Sequence, residues 1–208
     1  MTEVDQPMRE IPSAAVLDAL EGVCYITDLA GKIVGIGGRN WTSFAQGAGC
    51  DDQLSVAQVL GRDLFAYIAG EDVLQVYRGH ISEITANPDA HISFLFRCDS
   101  PSVLREMRMN MSGIRDGETT VGVLFQSLTL QERERPPISL FDVAARMKEY
   151  FGVVLPIITM CSYCHDVRAP ITANQWVRAE RYYAAGGDDR VRISHGICPA
   201  CQKKQLEG

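Results

Sequence analysis

Long apolar runs are missing from this sequence: none approaches the roughly 20 residues that a membrane-spanning helix needs. The opening, "MTEVDQPMREIPS", lacks the basic and then apolar stretches of a secretory leader. Together these absences predict a cytoplasmic protein, in a compartment where thiols stay reduced and clustered cysteines serve metals rather than disulfides. Low-complexity segments and internal repeats are absent too, which excludes a repeat array.

Catalytic signatures are equally scarce. No Walker loop, Ser-His-Asp order or paired-carboxylate motif stands out, and the glycines of "GIGGRN" have no dinucleotide-binding repeat behind them. Kinase, cyclase and helix-turn-helix signatures are missing as well. The expectation is a protein that is not an enzyme and whose output passes through contacts. Positive charge is not in excess either, because the formal net charge is −6. From Cys161 onward there are 7 Lys/Arg against 5 Asp/Glu, a local +2, which leaves 13 basic and 21 acidic residues, or −8, before it. An acidic body argues against nucleic-acid binding, and +2 is too little to argue for it. Arg178, Arg181, Arg190 and Arg192 are the residues a transcriptional regulator would turn to phosphates, with Asp188 and Asp189 diluting them.

What is present is ordinary globular material, 46% hydrophobic and 22% charged, enough for a real core. "PSAAVLDALEG" predicts a short helix capped by Ser13, with Val16, Leu17 and Leu20 on one face. "VCYITDLAGKIVGIGG" predicts two short strands around a tight turn at Asp28 to Gly31. Short helical pieces follow, and then a stronger helix in "GEDVLQVYRGHISEITANP", where Val73, Tyr77, His80 and Ile84 make one stripe. Three β segments come next. Ile92, Phe94, Phe96 and Cys98 alternate in the first, Met107, Met109 and Met111 share a face in the second, and the Asp116–Gly117 turn leads into the third, "TTVGVLFQSLTL".

That order of elements, with "YITDLAGKIVGI", "LGRDLFAYIAGED" and the closing hairpin, resembles the PAS sensor domain family over residues 13–130. The resemblance implies a five-stranded antiparallel sheet with helices on one face, binding a small ligand or a partner between sheet and helices. The class agrees with the residue reading, α+β with a helix-covered sheet. A charged stretch with paired prolines, "QERERPP", reads as a boundary, and "ISLFDVAARMKEYFG" as an amphipathic linker helix within 131–152. Ser139 and Asp142 look like its capping pair, and Leu140, Ala144, Met147 and Phe151 share its face.

The tail, 153–205, carries the sharpest signal. Cys161 and Cys164 in "CSYC" and Cys198 and Cys201 in "CPAC" are two C-x-x-C knuckles, the donor set of a closed structural zinc site. "QWVRAERYY" reads as a helix and "RVRISHG" as a strand that bring them together. With Trp176 and "SHGICPAC", the segment is similar to a small C-terminal module of bacterial sensory proteins. Thioredoxin-like chemistry would need more chain after Cys201. A c-type heme, which "CSYCH" matches literally, would need export and leave the second knuckle unexplained. A zinc–thiolate redox switch is an alternative role for the same four residues. His195 and His165 read as supporting groups rather than ligands, and Cys24 and Cys98 as small buried hydrophobes. A fold of fewer than 50 residues buries too little surface alone, so a metal would stabilise it.

His80 raises a second cofactor. The PAS resemblance implies that a histidine on this helix is where heme-binding oxygen sensors attach heme, with Met107, Met109 and Met111 as a soft facing wall. The expected function is a bacterial signal-transduction protein in which a PAS-like sensor is coupled to a zinc-ribbon-like module that meets a protein partner or a second copy. A heme gas sensor and a nucleic-acid-binding regulator are the alternatives.

Overall fold

The computed structural model describes residues 12–47, 54–142 and 154–207. A helix α1 (Ser13–Ala19) leads into strands β1 (Val23–Thr27) and β2 (Ile33–Ile36), then helices α2 (Gly38–Gly47) and α3 (Val56–Val59). A 3-10 turn at Leu64–Tyr67 precedes the long helix α4 (Glu71–Ala86). Strands β3 (His91–Arg97), β4 (Val103–Asp116) and β5 (Thr119–Glu134) complete one antiparallel sheet in the order β2-β1-β5-β4-β3. This is the α+β, PAS-like five-stranded sheet with helices on one face.

Local chemistry explains the joints. Asp28 Oδ1 accepts from the N–H groups of Ala30 and Lys32, and Gly31 adopts φ +91°, so the β1–β2 turn closes on a side-chain cap. The β4–β5 hairpin pairs Asp116 with Thr119 across Gly117, whose φ is +60°. Alternation then sorts the faces: Met107, Met109 and Met111 are buried while Arg108 is exposed. The interior is filled by aromatic rings. Tyr25 stacks on Phe125 at 4.8 Å, and Trp41 meets Tyr25 edge-on at 5.9 Å. Phe125 is fully buried, worth about 1.5–3 kcal/mol of apolar transfer.

The second half builds a four-stranded sheet, β8-β7-β6-β9, from β6 (Ile157–Cys161), β7 (Val167–Arg168), β8 (Trp176–Val177) and β9 (Arg192–Gly196). Helix α5 (Ala179–Ala184) joins β8 to β9, and α6 (Pro199–Glu207) follows β9. Ile138, Leu140 and Phe141 pack with Ile158, Met160, Val167 and Tyr182 as a second core.

Several expectations shift. The cap of α1 falls at Pro12, and Val16 is exposed while Leu17 is buried. "QERE" is not a linker but the end of β5, paired with Val103–Glu106. "QWV" of the expected tail helix contributes β8 instead, because Val177 is needed opposite Val167. Of the expected linker helix, Ser139–Phe141 forms one 3-10 turn capped by Ile138, and 143–153 lie outside the described residues. Among the described residues no helix is long and apolar enough to cross a membrane.

Candidate metal centre

Strands β6 and β9 run parallel, with Cys161 opposite Gly196, so both strands end on the same side of the sheet. The first knuckle begins at the end of β6 and the second just beyond β9, and the parallel register therefore delivers both to one point. Cys201 lies in the first turn of α6. The turns are held by backbone bonds: His165 N donates to Cys161 O, Ser162 N to Gly196 O, and Gln202 N to Cys198 O, each at 2.9 Å.

The four Sγ atoms of Cys161, Cys164, Cys198 and Cys201 lie within 4.8 Å of one another. Cys164 and Cys198 Sγ are 3.7 Å apart, far beyond a disulfide bond, and all four are free thiols. A tetrahedron with metal–sulfur bonds of about 2.3 Å has edges of about 3.8 Å, so the spacing fits a four-thiolate metal. Cys198 N and Cys201 N approach Cys161 Sγ and Cys198 Sγ at 3.4 Å, supplying N–H dipoles to the sulfurs. The Cys164 thiol donates to Cys161 and brings its pKa down to about 5 against burial, with the N–H groups of Cys198, Cys164 and Tyr163 adding to the effect. The same contact pushes Cys164 strongly upward, and burial, with the Cys161 charge, raises Cys201 to about 12. One negative charge is easily formed here and the next are not, which is the electrostatic demand a dication satisfies.

The other sequence-selected residues go elsewhere. His195 is exposed on β9, opposite Met160, and outside the sulfur cluster. His165, at φ +58°, stacks on Phe141 at 5.3 Å and places Nδ1 3.4 Å from Asp99 Oδ2. His80 stacks on Phe94 at 5.7 Å and borders a groove of about 480 Å³ with Ile197, Gln202 and Gln205, so it looks toward α6. Burial lowers its pKa, with Gln205 and Glu83 opposing. Of the tail arginines, Arg178 lies 3.5 Å from Asp166 and Arg190 3.3 Å from Asp188. Cys24 is fully buried and Cys98 half-buried, while Cys50 lies outside the described residues.

Sequence reasoning missed the group that ties the two sheets together. Asp99, with a fully buried side chain, pairs with Arg97, lies 3.2 Å from Arg135 Nη1, and accepts from Arg105 N at 3.0 Å. Burial would raise its carboxyl, but hydrogen bonds from His165 and Arg97, then the charge of His165 and the Arg105 N–H, hold it well below the usual carboxylate range. Arg97 also donates from N to Tyr163 O at 2.8 Å and from Nη1 to Cys164 O at 3.1 Å. Arg135 sits over the Phe141 ring at 4.4 Å. The available signal was the pair of opposite charges, Arg97 and Asp99, closing an otherwise apolar strand.

No family model matches the sequence and no curated protein matches it. Among solved structures it is similar to the PAS domain of BvgS from Bordetella pertussis, with 11% identity, 58% of this chain and 85% of that chain covered, and a TM-score of 0.41. It is similar to the PAS domain of an HTR-like protein from Haloarcula marismortui, with 17% identity, 56% and 93% covered, and a TM-score of 0.38. A sensory box sensor histidine kinase from Vibrio cholerae follows, with 10% identity, 56% and 86% covered, and a TM-score of 0.38. The ligands and partners of those proteins remain their own.

Proposed function

We propose that this chain is a non-enzymatic regulator of bacterial signal transduction that works in the cytoplasm. Its PAS-like unit (13–130 extended by the end of β5) and its zinc-held tail act as one responsive body, and the tail presents the surface for a protein partner or a second copy. The observation that carries the reading is the shared core. Phe94 of β3 packs edge-on against Tyr163 of the first knuckle at 5.5 Å, and Cys161, Cys198 and Cys201 belong to the same apolar cluster as Tyr25 and Phe125. A change in the sheet is therefore felt at the knuckle through direct contact.

Cys161, Cys164, Cys198 and Cys201 would hold the metal, which when bound supplies cross-linking and charge neutralisation. Four thiolates leave no position open for water, which favours a structural over a catalytic role. Soft thiolates in a tetrahedron suit zinc or iron, and zinc is the assignment we make.

The test is elemental analysis with hydrogen exchange on the full chain. About one zinc per chain, lost in Cys161→Ser, is the expected result. Chelation should then speed exchange across His91–Arg97, the strand that touches the knuckle. A visible spectrum of the same sample after heme addition separates the gas-sensor alternative, which requires a Soret band that His80→Ala abolishes. Unchanged exchange in β3 after metal loss would refute the coupling.

A further inference from the structure

A pocket of about 270 Å³ lies where the PAS-like unit meets the first knuckle. Tyr67, Tyr77, Phe94 and Phe96 line it from the PAS side, and Ser162 and Tyr163 from the knuckle. Phe94 stands edge-on to both Tyr77, at 5.9 Å, and Tyr163, at 5.5 Å, so the walls are aromatic faces and edges. It lies at the edge of the space between sheet and helices, against α4 and β3, and its far wall is the knuckle; Tyr25, Phe125, Met109, Met111 and Ile84 belong to the core beside it.

Two hydroxyls in this lining have no hydrogen-bond partner. Tyr163 is 4% exposed and its hydroxyl is buried without one, and the same holds for Ser162 Oγ. A buried hydroxyl left unpaired costs about 1–3 kcal/mol, and a native fold rarely keeps two side by side without use. Two imidazoles, His165 and His195, also border the pocket.

We infer that this pocket binds a small planar aromatic molecule bearing an acceptor oxygen, either carbonyl or carboxylate, with its ring among Tyr67, Tyr77, Phe94 and Phe96 and its oxygen on the Ser162 and Tyr163 hydroxyls. The volume lies below the roughly 300–1,000 Å³ of sites for drug-sized ligands, so the molecule is a single-ring compound. Aromatic walls with a few convergent polar groups are the ordinary composition of such sites. The inference rests on the proposed zinc-held knuckle, because Ser162 and Tyr163 are placed by Cys161 and Cys164. It makes the junction, rather than the PAS interior, the place where a chemical signal enters.

The experiment uses the full zinc-loaded chain with benzoate and benzamide as probes. Benzene, which lacks the oxygen, and cyclohexanecarboxylate, which lacks the planar ring, are the controls. Saturation-transfer NMR should show benzoate or benzamide bound and both controls weaker, with chelation of the metal abolishing binding. Tyr163→Phe keeps the ring and removes the hydroxyl, so it should weaken the probe about 2- to 10-fold, one neutral hydrogen bond's share. The same variant without probe should melt at the wild-type temperature or above, because an unpaired buried group has gone. Protein that carries zinc but shows no transfer from either probe overturns the inference and leaves the metal assignment standing. Protein that lacks zinc yet binds benzoate through Tyr163 upholds the pocket and overturns the metal assignment. Equal binding of benzene and benzoate, unaffected by Tyr163→Phe, also overturns the inference.

Discussion

Asp99→Ala should be among the most damaging single changes outside the cysteines. Its carboxylate has no exposed side-chain surface, and Arg97 and Arg135 beside it are 9% and 8% exposed. Removing the anion strands two guanidiniums in a half-dry junction. Breaking a buried ion pair from one side costs about 3–5 kcal/mol, because the remaining charge keeps its desolvation penalty. Arg105 N also loses its acceptor, and Arg97 loses the partner that orients it toward Tyr163 O and Cys164 O. The expected outcome in urea is a loss of about 3–5 kcal/mol in unfolding free energy, with faster zinc transfer to a chromogenic chelator. The acid limb gives a second readout. The folded-state pKa of Asp99 lies below its ordinary value of 3.8, so the folded state binds fewer protons there. The stability it contributes is fully present above about pH 5 and fades as the pH falls through 3.8 toward the lower folded value. Wild type should therefore lose stability below about pH 4 more steeply than Asp99→Asn. A loss under about 1 kcal/mol, with parallel acid limbs, would show that the junction is solvated and that the Asp99 cluster does not hold the two sheets together.

Two further perturbations separate the metal from the packing. Cys198→Ser should abolish zinc binding and unfold the second sheet, whereas Cys24→Ser, in a fully buried thiol that contacts Glu21 O at 3.8 Å, should cost stability and leave zinc stoichiometry unchanged; metal analysis beside a melting curve decides it. Gly70→Ala should cost about 1–3 kcal/mol, because Gly70 has φ +97° and a Cβ there would sit 2.8 Å from His195 O. An unchanged melting temperature would mean that α4 and β9 do not approach as closely as this.

The sheet and the clustering of the four cysteines were legible in the sequence for different reasons. Period-two alternation in Phe94 and Phe96 and in Met107, Met109 and Met111 fixes which face is buried before any tertiary contact is known. The two C-x-x-C spacings are equally local, since each knuckle needs only its own turn. Neither signal says where the knuckles go. Val177 pairs with Val167 in a two-residue ladder, too short to outweigh the helical pattern of "QWVRAERYY". His80 shares the apolar spacing of α4 and packs on Phe94 as Tyr77 does, yet it also borders Ile197, Gln202 and Gln205, neighbours far along the chain that no helical period names. Asp99, Arg97, Arg135 and His165 are spread over more than 60 positions, and their meeting depends on how two sheets abut.

The strand β3 shows why the second sheet is more than an appendage. It is the edge of the PAS-like sheet, and an open edge invites pairing with other chains. Arg97 turns its N–H outward to Tyr163 O, so Leu95 and Ser93, two and four residues back, direct their backbone groups the same way. The knuckle thus covers the end of an edge strand whose Leu95 is 60% exposed. Truncation after Pro137 would uncover that end, remove Phe141 from Arg135 and His165 from Asp99, and bare Phe94. The truncated unit should therefore associate or precipitate where the full chain does not, as read by light scattering over a concentration series. Adding Leu95→Lys should reduce that association by charging the edge. A truncated unit that stays monomeric with an unchanged melting temperature would mean that the PAS-like sheet is complete without the tail, and that signal passes to the knuckle by some route other than the β3 edge.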